Sequence, residues 1–196
     1  MSQTTTESAG WTTADLDLFP DDGNRYEIVE GELCVTRAPN WRHQRASTRI
    51  STALDVWSQA TGLGETVQAP GIIFSNENNV IPDVVWVSRD RLAMLLDEEG
   101  HLTAAPELVV EVLSLDHKNE RCDRELKLKL YSSRGVQEYW IIDWSRERLE
   151  IYRRESVALQ LCITLLPTDS LTSPLLPGFT YPIAQLFVQV RSDSST

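Results

Sequence analysis

Residues 106–114 read Pro106-Glu-Leu-Val-Val-Glu-Val-Leu-Ser114. The run is short, bounded by Pro and Ser, and apolar on both faces, so it reads as a β-strand inside a sheet covered from both sides. Glu111 breaks the pattern in the middle of the run. A carboxylate in such a place is protonated, matched to a cation or bound to a metal, because an unpaired buried charge is too costly. Upstream, Val80-Ile-Pro-Asp-Val-Val-Trp-Val-Ser88 forms a second strand-like run with the same anomaly at Asp83.

Side chains alternate along a strand, so Asp83, Val85 and Val87 share one face, as do Val109, Glu111 and Leu113. If the two strands are neighbours, both carboxylates converge on one point. Hard divalent cations take such carboxylates together with waters and substrate oxygens. Without a metal, two crowded carboxylates do not both ionise easily, and at least one pKa should rise. Taken singly, Asp83 could instead cap a turn after Pro82, and Glu111 could pair with an arginine.

Outward from these runs, strands and helices alternate. Residues 25–30 and 32–36 flank Gly31 as a hairpin. Asn40 caps a helix from 41 to about 60, with Ala46, Ile50, Ala53, Leu54 and Trp57 as its apolar stripe. Strands are expected at 65–69 and 71–74, and a short helix at 89–96. A strong helix is expected at about 119–133, ended by Arg134-Gly135. Strands follow at 137–143, 148–153 and 156–166, then a loop at 167–178 and a short helix at 181–190. This order indicates an α/β (α+β) domain with a mixed sheet. The expected division is an N-terminal tail at 1–10, one domain at 11–190 and a C-terminal tail at 191–196.

The chain of 196 residues carries a net charge of −11, which counts against broad, non-specific nucleic-acid binding. It contains no apolar run long enough to span a membrane and no secretory signal, so a cytoplasmic location is expected. Cys34, Cys122 and Cys162 are far apart and odd in number, and read as free thiols in a reducing compartment.

The ordered set Pro82-Asp83, Glu111-Val-Leu-Ser114, Asp123-x-x-x-Lys127-x-x-x-Tyr131 and Gly135-Val-Gln-Glu-Tyr-Trp-Ile-Ile-Asp143 resembles the Uma2 family (DUF820). That family is abundant in cyanobacteria and belongs to the PD-(D/E)xK nuclease superfamily. Arg25-Tyr-Glu-Ile-Val-Glu-Gly-Glu-Leu33 and His43-Gln44 resemble it too, so the match covers about residues 25–187. The resemblance implies a restriction-endonuclease-like core, a mixed central β-sheet flanked by helices. It also implies an endonuclease that hydrolyses phosphodiester bonds in DNA with Mg2+, for which Mn2+ can substitute.

In the superfamily pattern a lysine lies two residues after the second acid, where this chain has Leu113. The resemblance to Uma2 places the cation on the following helix at Lys127, with Lys129 as the competitor. Asp123, Lys127 and Tyr131 fall on one stripe at i, i+4 and i+8, while Lys129 lies about 200° further round. Without the resemblance, Asp123 and Lys127 would be an ordinary surface pair worth about 0.3–0.5 kcal/mol. The third acid is Glu27 or Glu30, with Glu30 favoured beside the Gly31 turn. His43 serves either a local hydrogen bond or a substrate phosphate.

The expected site is therefore Asp83 and Glu111 as metal ligands, Lys127 and Glu30 as further catalytic groups, and His43 and Tyr131 against substrate. Lys127 would orient or help deprotonate the water, and Lys127→Ala would abolish cleavage with little change in melting temperature. A homodimer would suit a nuclease that must cut two strands. The rival is a catalytically inactive binding or assembly module that keeps the nuclease fold, favoured by Leu113 and the acidic charge.

Overall fold

The computed structural model describes residues 10–38, 40–114 and 116–187. The tails expected at 1–10 and 191–196 lie outside them, apart from Gly10. A 3₁₀ turn, Thr13–Leu18, leads to β1 (Arg25–Val29) and β2 (Glu32–Thr36). The hairpin turn consists of Glu30 and Gly31, both at positive φ (52° and 75°), the geometry that matches the strand twist of a two-residue loop. Asn40 caps α1 (Trp41–Thr61) by accepting from the Arg42 N–H, and Gly62 ends the helix in the left-handed conformation.

β3 (Gly64–Gln68), β4 (Ile72–Ser75), β5 (Asn78–Val80) and β6 (Val84–Ser88) follow. The run 80–88, expected as one strand, divides at Pro82, which has no N–H for a ladder. Asp83 thus lies just before β6 rather than inside it. After α2 (Arg89–Leu95) comes β7 (Leu108–Val112). Then α3 (His117–Arg121), a π-helical segment (Cys122–Lys127) and α4 (Leu128–Arg134) run on without a break. β8 (Glu138–Asp143), β9 (Arg148–Glu155) and β10 (Ala158–Leu165) complete the main sheet. The expected 167–178 loop instead holds β11 (Ser170–Ser173), hairpinned to β12 (Leu176–Pro182). The last helix is reduced to α5 (Ala184–Phe187) among the described residues, because β12 takes its first positions.

The central sheet runs β10-β9-β8-β7-β6-β3, and β7 and β8 are its parallel pair. Parallel neighbours need a crossover, and helix 117–134 supplies it. A second sheet, β2-β1-β5-β4, carries the N-terminal hairpin. Ala46, Ile50 and Leu54 of α1 pack on Val84, Trp86, Val110, Val112, Trp140 and Ile142 on one face of the central sheet. Leu130 and Tyr131 pack with Val85, Val109, Leu113, Tyr139 and Ile141 on the other. The alternation expected for β7 therefore holds, and Glu111 lies on the face beneath helix 117–134.

Cys34 and Cys122, expected as free thiols, form a disulfide with Cα atoms 6.5 Å apart. Their sequence separation of 88 hides the pair, and only the packing of β2 against the helix brings them within bridging distance. Cys162 is free and exposed. Among the described residues no helix is long and apolar enough to cross a membrane.

Gly64 sits where β3 approaches β6. A Cβ there would lie 2.4 Å from the Val87 carbonyl oxygen and 2.6 Å from the Trp86 ring. Gly64→Ala is expected to destabilise by about 1–3 kcal/mol through overpacking. The check is the midpoint of urea unfolding; an unchanged midpoint would mean that β3 can move away from β6 without cost.

Candidate active site

β6 and β7 pair antiparallel with Val84 opposite Val110, which brings Asp83 beside Glu111 at the open end of that ladder. The Asp83 N–H donates to Glu111 Oε2 at 3.3 Å, and the Val112 N–H donates to Asp83 Oδ2 at 2.8 Å. Both acids are buried, on the face covered by helix 117–134.

Lys127 comes down from that helix onto Glu111. Its Nζ lies 3.0 Å from Glu111 Oε1, 2.9 Å from Glu27 Oε1 and 3.3 Å from Asp123 Oδ1. The ammonium donates hydrogen bonds to Glu27 and Glu111, and Asp123 is its third, ionic partner. Only 2% of the Lys127 side chain is exposed. The surface-pair alternative for Asp123 and Lys127 is therefore overturned: the i, i+4 spacing is as read, but the pair points inward. The segment holding both residues is a π-helix rather than the regular α-helix expected, a wide turn with i→i+5 bonding. Lys129 is 76% exposed and lies 3.9 Å from Glu30 at the surface, so it is not at the cluster.

The third acid here is Glu27. Its carboxylate holds Lys127 and accepts from the Ile81 N–H at 2.7 Å. Glu30, favoured from sequence, has left the strand for the turn, where its carboxylate is exposed. The turn accounts for its position, away from the cluster. Arg25, two residues before Glu27 on the same strand face, was not singled out from sequence. It donates to Asp83 Oδ1 at 3.2 Å and to the Ile81 carbonyl at 2.9 Å. The period-2 pairing of Arg25 with Glu27 was the available signal.

The two residues expected against substrate are placed differently. Tyr131 is fully buried, and its hydroxyl donates to Glu111 Oε1 at 3.2 Å. It orients the acid and has no surface for a substrate. His43 is also buried, with Nε2 3.3 Å from Asp83 Oδ2. It also lines a cavity of about 240 Å³ with Arg37, Asn40, Ser114, Asn119 and Trp144.

The electrostatics separate the paired acids. Burial pushes the Asp83 carboxyl up, but His43, Arg25 and the Val112 N–H outweigh it and hold its pKa at about 2. Burial raises Glu111 well above the usual carboxylate range, and neighbouring Asp123, Asp83 and Glu27 add to this against the opposing pull of Lys127. The expected rise in one of two crowded carboxyls thus falls on Glu111. Asp123 is pushed to about 6, mainly by burial and against the pull of Lys127. Burial alone would lower Lys127, but Glu111, Glu27 and Asp123 raise it well above the ordinary lysine value. The carboxylates around the amine therefore favour its charged form in this arrangement.

The superfamily resemblance implies a divalent cation, and the donor set fits one. Four carboxylates (Glu27, Asp83, Glu111 and Asp123) face the two permanent cations Arg25 and Lys127. Asp83 uses three of about four acceptor sites, on Arg25, His43 and Val112; Glu111 uses three, on Lys127, Tyr131 and Asp83. Each retains about one lone pair. Among the described residues no group of three or more His, Cys, Asp or Glu side chains is arranged so that it could hold a metal ion, so the protein's share would be the two carboxylates alone. Two carboxylates completed by waters and substrate oxygens is the arrangement that magnesium accepts.

Two measurements probe this cluster. Lys127→Ala leaves three buried carboxylates without their cation and is expected to cost about 3–5 kcal/mol of stability, against under about 0.5 for Lys129→Ala. Comparable unfolding midpoints for the two variants would contradict the buried network, and the earlier expectation of an unchanged melting temperature is withdrawn. The second concerns pH. Asp123 binds its proton more tightly folded than unfolded, so metal-free stability should fall as pH rises from about 4 to 6, on the order of 3 kcal/mol from this group. Asp83 acts oppositely: its contribution is complete above about pH 4 and disappears as pH falls towards 2. Asp123→Asn should flatten the pH 4–6 fall in denaturant titrations; an equally steep fall would assign it elsewhere.

A search of curated proteins finds no match. Among solved structures, the chain is similar to the crystal structure of "a putative nuclease belonging to DUF820" from Anabaena variabilis ATCC 29413. The TM-score is 0.72 at 17% identity, covering 90% of this chain and 97% of the other, and shows a shared fold. The family model for Uma2, described as "Putative restriction endonuclease", matches residues 13–185. A match over that much of the sequence is decisive: the chain belongs to the Uma2 family.

Proposed function

We propose that this protein is a divalent-metal-dependent endonuclease that hydrolyses phosphodiester bonds, with DNA as substrate. One observation carries the reading: Lys127 Nζ lies within 3.3 Å of carboxylates from Glu27, Glu111 and Asp123, with Asp83 alongside Glu111. Acids from two adjacent strands with one amine are the components of a phosphodiester-cleaving centre. The amine reaches Glu111 from a helix instead of from position 113, which Leu113 gives to the core. Membership of a family described as restriction endonucleases supports the same reading by analogy.

Asp83 and Glu111 would hold Mg2+ or Mn2+, and the cation, when bound, would supply Lewis acidity and charge neutralisation at the phosphate. The chain's own residues do the rest. Lys127 keeps Glu111 in place and adds fixed positive charge in a site from which water is largely excluded, where such charge acts strongly. Glu27 and Asp123 hold that ammonium against the sheet. Tyr131 fixes Glu111, and His43 fixes Asp83. Arg25, 24% exposed, is the cation at the rim, placed to meet a phosphodiester as it arrives. A homodimer would place two such centres on two strands, which analytical ultracentrifugation would reveal.

The test combines metal uptake with cleavage. Calorimetric titration of Mg2+ or Mn2+ should show a site that Asp83→Asn removes, and supercoiled plasmid should be nicked or cut by the wild type alone. Affinity should weaken on acidification as protons compete for the ligands. No uptake together with intact plasmid would overturn the proposal in favour of a nuclease-fold binding or assembly module.

A further inference from the structure

The disulfide sits next to the cluster. Cys34 is the register partner of Glu27 across the β1–β2 ladder. Cys122 directly precedes Asp123 and opens the π-helical segment that ends at Lys127. One covalent bond therefore ties the strand residue opposite Glu27 to the helix residue beside Asp123. Lys127 joins the same helix to the other strand of that hairpin, β1, without covalency, through Glu27. The chain enclosed between Cys34 and Cys122 contains His43, Asp83 and Glu111. Both cysteines are buried in the apolar layer with Val29, Leu130 and Tyr131. Between β2 and this helix, the ion pair of Arg121 with Glu32 at 3.5 Å has both side chains more than half exposed and is weak in water.

We propose that the Cys34–Cys122 disulfide is a positioning bridge for the Glu27–Lys127–Asp123 cluster, and that assembly of this cluster depends on the thiol redox state. The proposal rests on reading that cluster as the catalytic centre. The reductant is a dithiol. One of its thiolates attacks a bridge sulfur and forms a mixed disulfide, releasing the other cysteine as thiolate, which takes up a proton. The second thiol then closes on the mixed disulfide and releases the remaining cysteine. The bridge gains two electrons and two protons, and the dithiol becomes a disulfide.

Once the bridge is open, β2 and residues 117–127 are held only by packing and by ion pairs. Two elements distant in sequence regain the freedom that the cross-link removed. Helix 117–134 then opens locally more often than the central strands do. Each opening carries Lys127 and Asp123 away from Glu27.

The test uses the full-length chain with Cys162→Ser, which removes the exposed free thiol as a source of disulfide exchange. Oxidised protein is compared with protein reduced by dithiothreitol, with intact mass reporting the two added hydrogens. Lys127 acylation by a small amine-reactive ester is followed by peptide mass spectrometry, together with amide hydrogen exchange. Reduction is expected to speed Lys127 labelling about tenfold or more and to deprotect residues 117–134, with β8 still protected. A Cys34→Ala/Cys122→Ala variant should label at the reduced rate under both conditions. Equal labelling of Lys127 in the two states would overturn the proposal. So would loss of protection spread evenly into β8, since the bridge would then hold the whole fold and not the cluster. These readouts need neither metal nor substrate. A protein that cuts nothing in either state refutes the nuclease reading and leaves the bridge to be judged by labelling. Cleavage in both states with equal labelling refutes the bridge alone.

Discussion

The ammonium of Lys127 is the constraint on which the rest of the arrangement depends. It is removed from water, and it is the shared partner of acids from β1, β7 and the crossover helix. A buried charge is tolerated only when it is paired, and here Glu27 and Glu111 accept hydrogen bonds from it while Asp123 adds an ion pair. The hairpin, the central strand and the helix must therefore stay in register with one another. The N-terminal sheet, otherwise a small appendage, is fastened to the main sheet through Glu27.

Charge in the cluster is balanced unevenly. Asp83 is held ionised by Arg25, His43 and a backbone N–H, whereas burial keeps Glu111 and Asp123 prone to protonation. Two neighbouring carboxyls with environments that pull their proton affinities apart characterise a site built for acid–base or metal chemistry. The chain is acidic overall, and Arg25, about a quarter exposed, is the cluster's cation nearest the surface.

Much of this was legible in the sequence. The apolar runs around Asp83 and Glu111 gave the two strands and their shared face, because strand alternation is a local property. The helix following β7, and the shared stripe of Asp123, Lys127 and Tyr131, followed from i, i+4 spacing, but not which way the stripe faces. Contacts set by tertiary packing were not legible. Glu27 and Glu30 differ by whether the strand has ended, and the positive φ at Glu30 that ends it is a turn decision shared with Gly31. The disulfide joins residues whose proximity arises only when β2 meets the helix. Burial of the Asp123–Lys127 pair, and with it the stability carried by Lys127, depends on acids contributed by two other elements.

The wide turn from Cys122 to Lys127 also bears on how relatives of this chain can differ in length. A π turn holds one residue more per hydrogen-bonded ring than an α turn, so it records, in structural terms, a single inserted residue. Deletion of one residue here is the length change that helix 117–134 could absorb with its cap at Asp116 and its end at Gly135 in phase. Such a shortened chain would keep the crossover and the parallel β7–β8 pair while changing the angle between Asp123 and Lys127 around the helix. The scaffold and the reach of Lys127 to Glu27 and Glu111 would then be altered separately by a single residue.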